Sequence, residues 1–581
     1  MPASTPISSP TGPGPLRPLA IHAGFVAVVL ATFWPALFGD YVHDDLHLIA
    51  RNGAMLRGDA AAMFTQPLFD MEHGYWRPAT MLMFFLGHHT AGAVGVHALS
   101  LLLHVLNCMA GFALARRMLA PTPALLATLV FAVHPVHTES LAWGASLNDP
   151  LWVLFALQAM LAALRWRDRE RRGPPWLVGL LVIGAVLAKE TGVTTVPLVL
   201  AALAFVPTAN GHRPRMRLAT AAITMITGLF LWLVLRAVVF SEAVGAIVLG
   251  NNEPTPAATG IANLVRAPEL LLRHLGLLVM PLPATPFRAL PPASVPLLLA
   301  SIGASIAIAA VLWWRRGRLL PPTRIGLCLL LIPLLAPMLH FRSIGAHPIC
   351  DRYLYLSVLG TAICIAGWLR GRWLWLLMIA ALAMAPVSRS LCHNWHDADH
   401  LTAHVLATSP EDPTVLTLAG DLDLTKAQAG DPARFASARA YYQRAIDNTP
   451  PQQNGIVRRT LSAGRLGVAW CMLFEPKPKP PPPEVLIAAF QAAVDAGPEN
   501  AAAWIGLGVA NGVVGRTHDA DAAFRRAIEI DPHHAEGWHN LAHLQFLTGK
   551  RQEARASLAE ALRCDPNYAP SLGLLQQLNG N

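Results

Sequence analysis

From residue 19 to residue 388 the chain is a succession of apolar runs, each near the length of a bilayer crossing, separated by short arginine clusters. A hydrocarbon core about 30 Å thick needs roughly 20 apolar residues per helix, and without water each backbone polar group must be satisfied within its own segment. Runs of this length select helices. The basic clusters are Arg116–Arg117, Arg165 to Arg172, Arg213 to Arg217, Arg315 to Arg318 and Arg370 to Arg372. Basic loops stay cytoplasmic. Placing them so gives about eleven spans, near 19–39, 92–115, 122–137, 149–164, 176–190, 193–208, 218–240, 293–313, 324–340, 353–369 and 373–388. Two segments are read differently. Trp76 to His89 reads as an amphipathic helix on the membrane surface within a first outer loop, 40–90. Leu264 to Met280 is apolar enough to span, but counting it would carry Arg315–Arg318 outside, so it reads as interfacial or re-entrant.

The composition agrees. A hydrophobic fraction of 54% with 14% charged residues excludes a single soluble domain. The net charge of +9 is spread over the loop clusters rather than pooled, so it reports topology and not a nucleic-acid partner. Seven cysteines form no CxxC pair and no zinc-ligand spacing, which indicates neither a disulfide scaffold nor a structural metal. In this topology Cys350 and Cys392 both lie outside the cytoplasm, which leaves a bridge between them open. Met1 to Arg17, rich in Pro and Ser, reads as a disordered cytoplasmic N-terminus, and the run Leu19 to Phe38 as a retained first span.

Beyond residue 400 the pattern changes to Ala-rich amphipathic helices with an internal repeat. Pro498, Pro532 and Pro566 recur every 34 residues, and Trp504/Trp538, Gly515/Gly549 and Ala527/Ala561 keep the same interval. This period, with a closing proline, is the tetratricopeptide signature: helix pairs stacked into a concave solenoid. A degenerate unit covers 410–450, and the polyproline stretch from Lys477 to Pro483 reads as an insert interrupting the array. The expected fold is therefore all-α, with a polytopic membrane domain over 18–390 and a soluble repeat domain over 400–581 carrying a Pro-rich insert near 476–483.

The polar residues sort by side. The outer loops carry His43-Asp44-Asp45, Arg77, His134 to Glu139, Asn148-Asp149, Lys189-Glu190, His347 and Asp351-Arg352-Tyr353, whereas the inner loops carry little but Arg and Lys. Ionisable groups at a membrane boundary are costly unless used. Asp44 and Asp45 are candidates for a general base, against the alternative of a helix cap or a solvated pair. Arg77 reads as a phosphate clamp or an interfacial anchor. Lys189-Glu190 reads as a phosphate contact with its orienting acid or as a self-satisfied pair, and Arg352 between Asp351 and Tyr353 is open in the same way. His134, His137 and Glu139 invite a metal, but Pro135 intervenes and the spacing is not that of a zinc helix, so acceptor positioning or hydrogen bonding is the preferred role and no metal is assigned. No Gly-rich nucleotide loop and no Ser or Cys triad is present. No cofactor is assigned from these residues; a divalent metal stays open.

Val42-His43-Asp44-Asp45 with Asn52, Tyr75-Trp76-Arg77-Pro78-Ala79-Thr80, His97 with His104, the run Phe131 to Ser140 with Trp143, Lys189-Glu190, and Asp351 to Leu356 resemble the motifs of the transmembrane and tetratricopeptide repeat-containing O-mannosyltransferases, multispanning glycosyltransferases of fold C. The resemblance extends over essentially the whole chain. It implies a polyprenyl-phosphate-linked sugar donor, mannose among the candidates, and catalysis on the non-cytoplasmic face. Asp44 matches the catalytic aspartate of the motif and Asp45 the acidic residue after it. Arg77, Lys189 and Arg352 would hold the lipid phosphate. His134, His137, Glu139, Glu190, Asp351 and Tyr353 would shape the site, and the repeats would hold a protein or glycan acceptor. Two departures stand out: Ser146-Leu147-Asn148-Asp149 lacks the arginine usual in that loop, and Trp76 separates Tyr75 from Arg77. The competing reading is a non-catalytic membrane-anchored scaffold, which needs neither many spans nor an outward cluster of ionisable residues. Few lysines beside abundant Ala, Arg and Pro suggest a GC-rich bacterium, hence an inner-membrane protein with periplasmic repeats.

Overall fold

The computed structural model describes residues 18–65, 75–169, 173–208, 215–240, 256–282, 284–291, 294–339, 347–450, 455–476 and 481–580. Met1 to Arg17 and Lys477 to Pro480 of the expected insert lie outside them. Among the described residues the chain is helical with no strand. Seven helices are long and apolar enough to cross a membrane: Leu19–Phe38, Pro78–Ala115, Gly144–Asp168, Leu218–Phe240, Val295–Arg315, Pro321–Met338 and Gly371–Trp395. The shorter apolar helices Pro121–Val133, Trp176–Ala188 and Glu190–Phe205 lie among them. Seven such helices make this an integral membrane protein.

Local chemistry sets the ends. Prolines open Pro78–Ala115, Pro121–Val133 and Pro321–Leu339, where a missing N–H costs no hydrogen bond. The stretch read as a surface helix and the span after it form one long element, Pro78–Ala115. It breaks at Ala91 (φ −155°) and Gly92 (φ +61°), within three residues of the expected boundary. The helix Pro256–Val279, which contains Pro268, covers the segment read as interfacial; it buries Glu269, Leu270 and His274 and exposes Leu264.

Two chemically distinct ends result. At one, Arg117 pairs with Asp168, and Arg167 donates to the carbonyls of Leu203, Val206 and Pro207 at 3.2, 2.8 and 3.0 Å, a cation on a helix C-terminus. Trp313 and Trp314 stand exposed beneath the guanidinium groups of Arg316 and Arg315, and exposed Trp373 and Trp375 flank Arg372, as expected of an interfacial belt. At the other end are Arg77, His134 to Asp149, Lys189-Glu190 and Asp351-Arg352, where those same helices start or stop.

The repeat domain contains four helix pairs among the described residues: Pro413–Gln428 with Arg434–Asn448, Gly455–Phe474 with Pro483–Ala496, Ala501–Val513 with Thr517–Ile530, and Ala535–Leu547 with Arg551–Cys564. Ala569–Gly580 closes the stack. The 34-residue period has a physical basis. Trp504 and Trp538 each donate from Nε1 to the carbonyl six residues back, Pro498 and Pro532, at 2.9 Å; Gly515 and Gly549 both take φ +79°; and Ala527 and Ala561 are fully buried at helix crossings. Gly455–Phe474 and Pro483–Ala496, on either side of the polyproline stretch, pair with each other, and Leu466, Phe490 and Ala493 pack with Ala503 and Leu507 of the next unit. Lengthening a hairpin loop costs little closure entropy.

The solenoid meets the membrane domain at both of its ends. At its start, Leu401, Val405 and Val415 are buried in the same core as the membrane helices. His404 Nε2 lies 2.5 Å from the Ala284 carbonyl, Ser409 Oγ donates to the Phe287 carbonyl at 3.0 Å, and His347 Nε2 lies 2.9 Å from Asp412 Oδ2. At its far end the short helix Gly53–Arg57 lies on the end of Arg551–Cys564, so close that a Cβ on Gly53 would collide with the Cys564 carbonyl. The possible Cys350–Cys392 bridge is absent: both cysteines are free, Cys350 donating to the His347 carbonyl and Cys392, within a helix, to that of Ser388.

Candidate active site

Three short 3-10 turns build the site, each preceded by an extended residue and leading into an apolar helix. Trp143 precedes Gly144–Leu147, Lys189 precedes Glu190–Thr194, and Cys350 precedes Asp351–Leu354. An extended residue followed by a tight turn sends successive side chains in different directions. Lys189 and Glu190 are therefore not a mutual pair. Lys189 Nζ lies 2.5 Å from Asp149 Oδ1, and Glu190 Oε2 accepts from Arg77 Nε at 2.8 Å and Nη2 at 2.7 Å. Asp351 and Arg352 diverge in the same way. Asp351 takes a two-pronged contact from Arg288, at 2.8 and 3.3 Å, while Arg352 pairs with Glu139 through its guanidinium and its backbone N–H.

These pairs converge. Asp149 feels Arg77 and Arg352 as well as Lys189. The Tyr353 ring has Lys189 Nζ 5.8 Å and the Arg352 guanidinium 5.4 Å from its centre, and Arg77 lies 4.6 Å from the Tyr75 ring. Paired cations against aromatic faces at the end of apolar helices are costly to desolvate, and the arrangement suits an incoming anion that competes for the guanidinium groups.

Trp143 connects this cluster to the aspartates. Arg352 lies 5.2 Å from its ring, His43 stacks on it at 5.9 Å and Trp395 at 5.5 Å. His43 holds a left-handed backbone (φ +52°), rare without glycine, and its Nε2 lies 3.6 Å from Asp44 Oδ1. The two aspartates then part. Asp45 is fully buried; its Oδ1 accepts from Ala145 N–H at 2.6 Å and its Oδ2 from Val42 N–H at 3.2 Å, which ties the first outer loop to the turn after Trp143. Burial raises its carboxyl from 3.8 to about 7, against the pull of those N–H groups. A Cβ on Gly144 would sit 3.2 Å from all three atoms of that carboxyl group, so a larger residue there would press on it. Asp44 instead keeps about a third of its side chain open to solvent.

His134 and His137 do not join the ion pairs. His134 Nε2 lies 3.3 Å from the Leu278 carbonyl, and His137 is buried among His104, Phe131 and Tyr355. Glu139 is turned to Arg352, so the three do not share a ligand position. Among the described residues no group of three or more His, Cys, Asp or Glu side chains is placed to hold a metal ion. Sequence reasoning missed Arg288 and gave Asp149 no role. Arg288 lies in an irregular stretch without a motif, and only its distance to Asp351 reveals it.

Family models described as tetratricopeptide repeat match residues 514–578 and 487–511. Among characterised relatives, the protein O-mannosyl-transferase Tmtc1 of Drosophila melanogaster is 31% identical over 191 residues, covering 31% of this chain and 22% of that one. Human protein O-mannosyl-transferase TMTC4 is 31% identical over 210 residues, covering 30% and 27%, and Drosophila melanogaster Tmtc2 is 29% identical over 261 residues, covering 42% and 26%. The matches thus span about a quarter of those relatives' length. Among solved structures, the tetratricopeptide protein TTC0263 of Thermus thermophilus is 18% identical, covering 34% of this chain and 95% of that one with a TM-score of 0.26.

Proposed function

We propose that this chain, a relative of the TMTC protein O-mannosyltransferases that carries tetratricopeptide repeats, is a membrane glycosyltransferase moving a hexose, mannose in the first instance, from a polyprenyl phosphate to a hydroxyl of a protein or glycan. The observation carrying this reading is the geometry around Trp143: its indole meets both His43, whose Nε2 lies 3.6 Å from the solvent-reachable carboxylate of Asp44, and the guanidinium of Arg352, 5.2 Å from the ring centre. In the reaction the acceptor oxygen attacks the anomeric carbon and its proton passes to Asp44. The bond from that carbon to the phosphate oxygen breaks on the opposite side, with inversion, and the polyprenyl phosphate leaves with the electron pair. Arg77, Lys189 and Arg352 meet the growing charge, as preorganised cations in a dry site do best. Asp45 is a positioning residue, holding the Asp44 loop to the Gly144 turn. The site lies at the end of the helices opposite the arginine clusters, which supports a non-cytoplasmic site; with the bacterial reading of the composition, that is the periplasmic face of an inner membrane.

The test is sugar release from radiolabelled polyprenyl-phosphate mannose and glucose by purified full-length protein in detergent, with periplasmic extract as acceptor and Asp44→Asn alongside. Transfer lost by a factor of about 10² to 10⁴ in the variant, with lipid binding intact, supports the assignment. Full-rate transfer by Asp44→Asn removes Asp44 from the base role.

A further inference from the structure

The helix Pro256–Val279 lies along the candidate site through one stripe. Leu270, His274 and Leu278 follow one another at the helical step that keeps side chains on one face, and all three are buried. That stretch meets the site at two points. The Leu278 carbonyl lies 3.3 Å from His134 Nε2, and the His274 ring lies 6.2 Å from that of Tyr353. Tyr353 is also the ring that Lys189 and Arg352 approach, so the imidazole and both cations border one side chain.

The tautomer of His274 follows from its partner. Its Nδ1 lies 2.8 Å from the Leu270 carbonyl, which only accepts, so Nδ1 carries the proton and donates. Burial favours the neutral ring, in which Nε2 is then a lone-pair acceptor. That atom is buried and has no hydrogen-bond partner among the described residues. Two acceptors of the cation cluster share its condition: Asp149 Oδ2, whose sister oxygen takes Lys189, and Glu190 Oε1, whose sister takes Arg77. Buried polar atoms are ordinarily satisfied, and an acceptor is satisfied only by a donor. A phosphodiester has no hydrogen to give. In a polyprenyl-phosphate hexose only the sugar hydroxyls do.

We propose that His274 is a specificity-determining residue of the donor site, its Nε2 accepting a hydrogen bond from a hydroxyl of the hexose while Lys189 and Arg352 hold the lipid phosphate. The inference rests on the transferase reading. It adds that the segment read from the sequence as interfacial supplies a group that tells the glycosylated lipid from the bare one.

The experiment uses full-length protein in detergent with radiolabelled polyprenyl-phosphate mannose, polyprenyl-phosphate glucose and bare polyprenyl phosphate. Retention of each lipid on immobilised protein gives its Kd, and transfer to periplasmic extract gives the donor KM. His274→Phe keeps a flat ring and removes the lone pair. For whichever glycosyl lipid the wild type holds better, it is expected to raise Kd and donor KM about tenfold, the loss of one buried hydrogen bond. The Kd of the bare lipid should not change, and the melting temperature should not fall. His274→Gln, whose amide oxygen reaches toward the place of Nε2, should recover most of the loss. Wild-type binding of the glycosyl lipid by His274→Phe, equal losses for glycosyl and bare lipid, or a wild type that holds none of the three overturns the proposal. Transfer that continues in His274→Phe at an unchanged donor KM overturns it too, while leaving the transferase reading in place. Binding of a glycosyl lipid that depends on His274, without transfer of its sugar, would instead uphold the subsite and sink the transferase reading.

Discussion

Replacing Asp45 by asparagine separates what its burial does to folding from what its hydrogen bonds do. In the wild type the carboxyl titrates near 3.8 when exposed and at about 7 in the folded chain, chiefly because the site is dry. Between those values the folded state holds a proton that the unfolded state has lost, so stability falls as pH rises. The contribution is complete below pH 4 and gone above about 7, and its size is about 4 kcal/mol. Asparagine carries no such titration. It does leave one N–H, from Val42 or Ala145, facing its own NH2, at a cost of about 1–3 kcal/mol. The variant should therefore melt below the wild type near pH 4 and above it near pH 8, the two curves crossing between. Thermal unfolding in detergent, followed by tryptophan fluorescence at several pH values, gives the answer. A gap between the two proteins that stays constant from pH 4 to 8, or a wild type that gains on the variant as pH rises, would refute the view that Asp45 is desolvated.

Arg352→Ala leaves Glu139, only 3% exposed, as a buried charge missing its main partner; a loss of about 3–5 kcal/mol is expected, and adding Glu139→Gln should restore part of the melting temperature. Gly144→Ala pushes a methyl against the Asp45 carboxyl and should cost about 1–3 kcal/mol, whereas Gly276→Ala, with no neighbouring atom within 4 Å of its Cβ, should be neutral or slightly stabilising in the same melt. Asp412→Ala removes the His347 contact and the caps on Thr414 and Val415, so limited proteolysis near Ser409 should quicken while the other repeats stay resistant.

The spans and the repeats were legible because both are periodic. Apolar length reports a bilayer, and the interval between Trp504 and Trp538 reports a bond made twice. The residues of the candidate site were legible as types, but their partners were not. Lys189 and Glu190 look like a pair along the chain, yet a 3-10 turn sends one to Asp149 and the other to Arg77, and no sequence pattern encodes that divergence. The two aspartates read alike on paper; burial by the Gly144 turn, a contact across 100 residues, sets Asp45 apart. The helix pair on either side of the polyproline stretch escaped notice because a long loop breaks the period without breaking the packing.

A solenoid fixed only at its root is free to lengthen, since each added unit touches just its neighbour. Here the last helix pair also meets the loop that follows Asp44 and Asp45, at Gly53. The number of units is then a span between two supports, matched to the membrane domain beneath it. Gain or loss of a single unit would move the far support off its seat and pull on the loop that carries the aspartates, so the chemistry of the site would register the length of a domain that lies largely outside it.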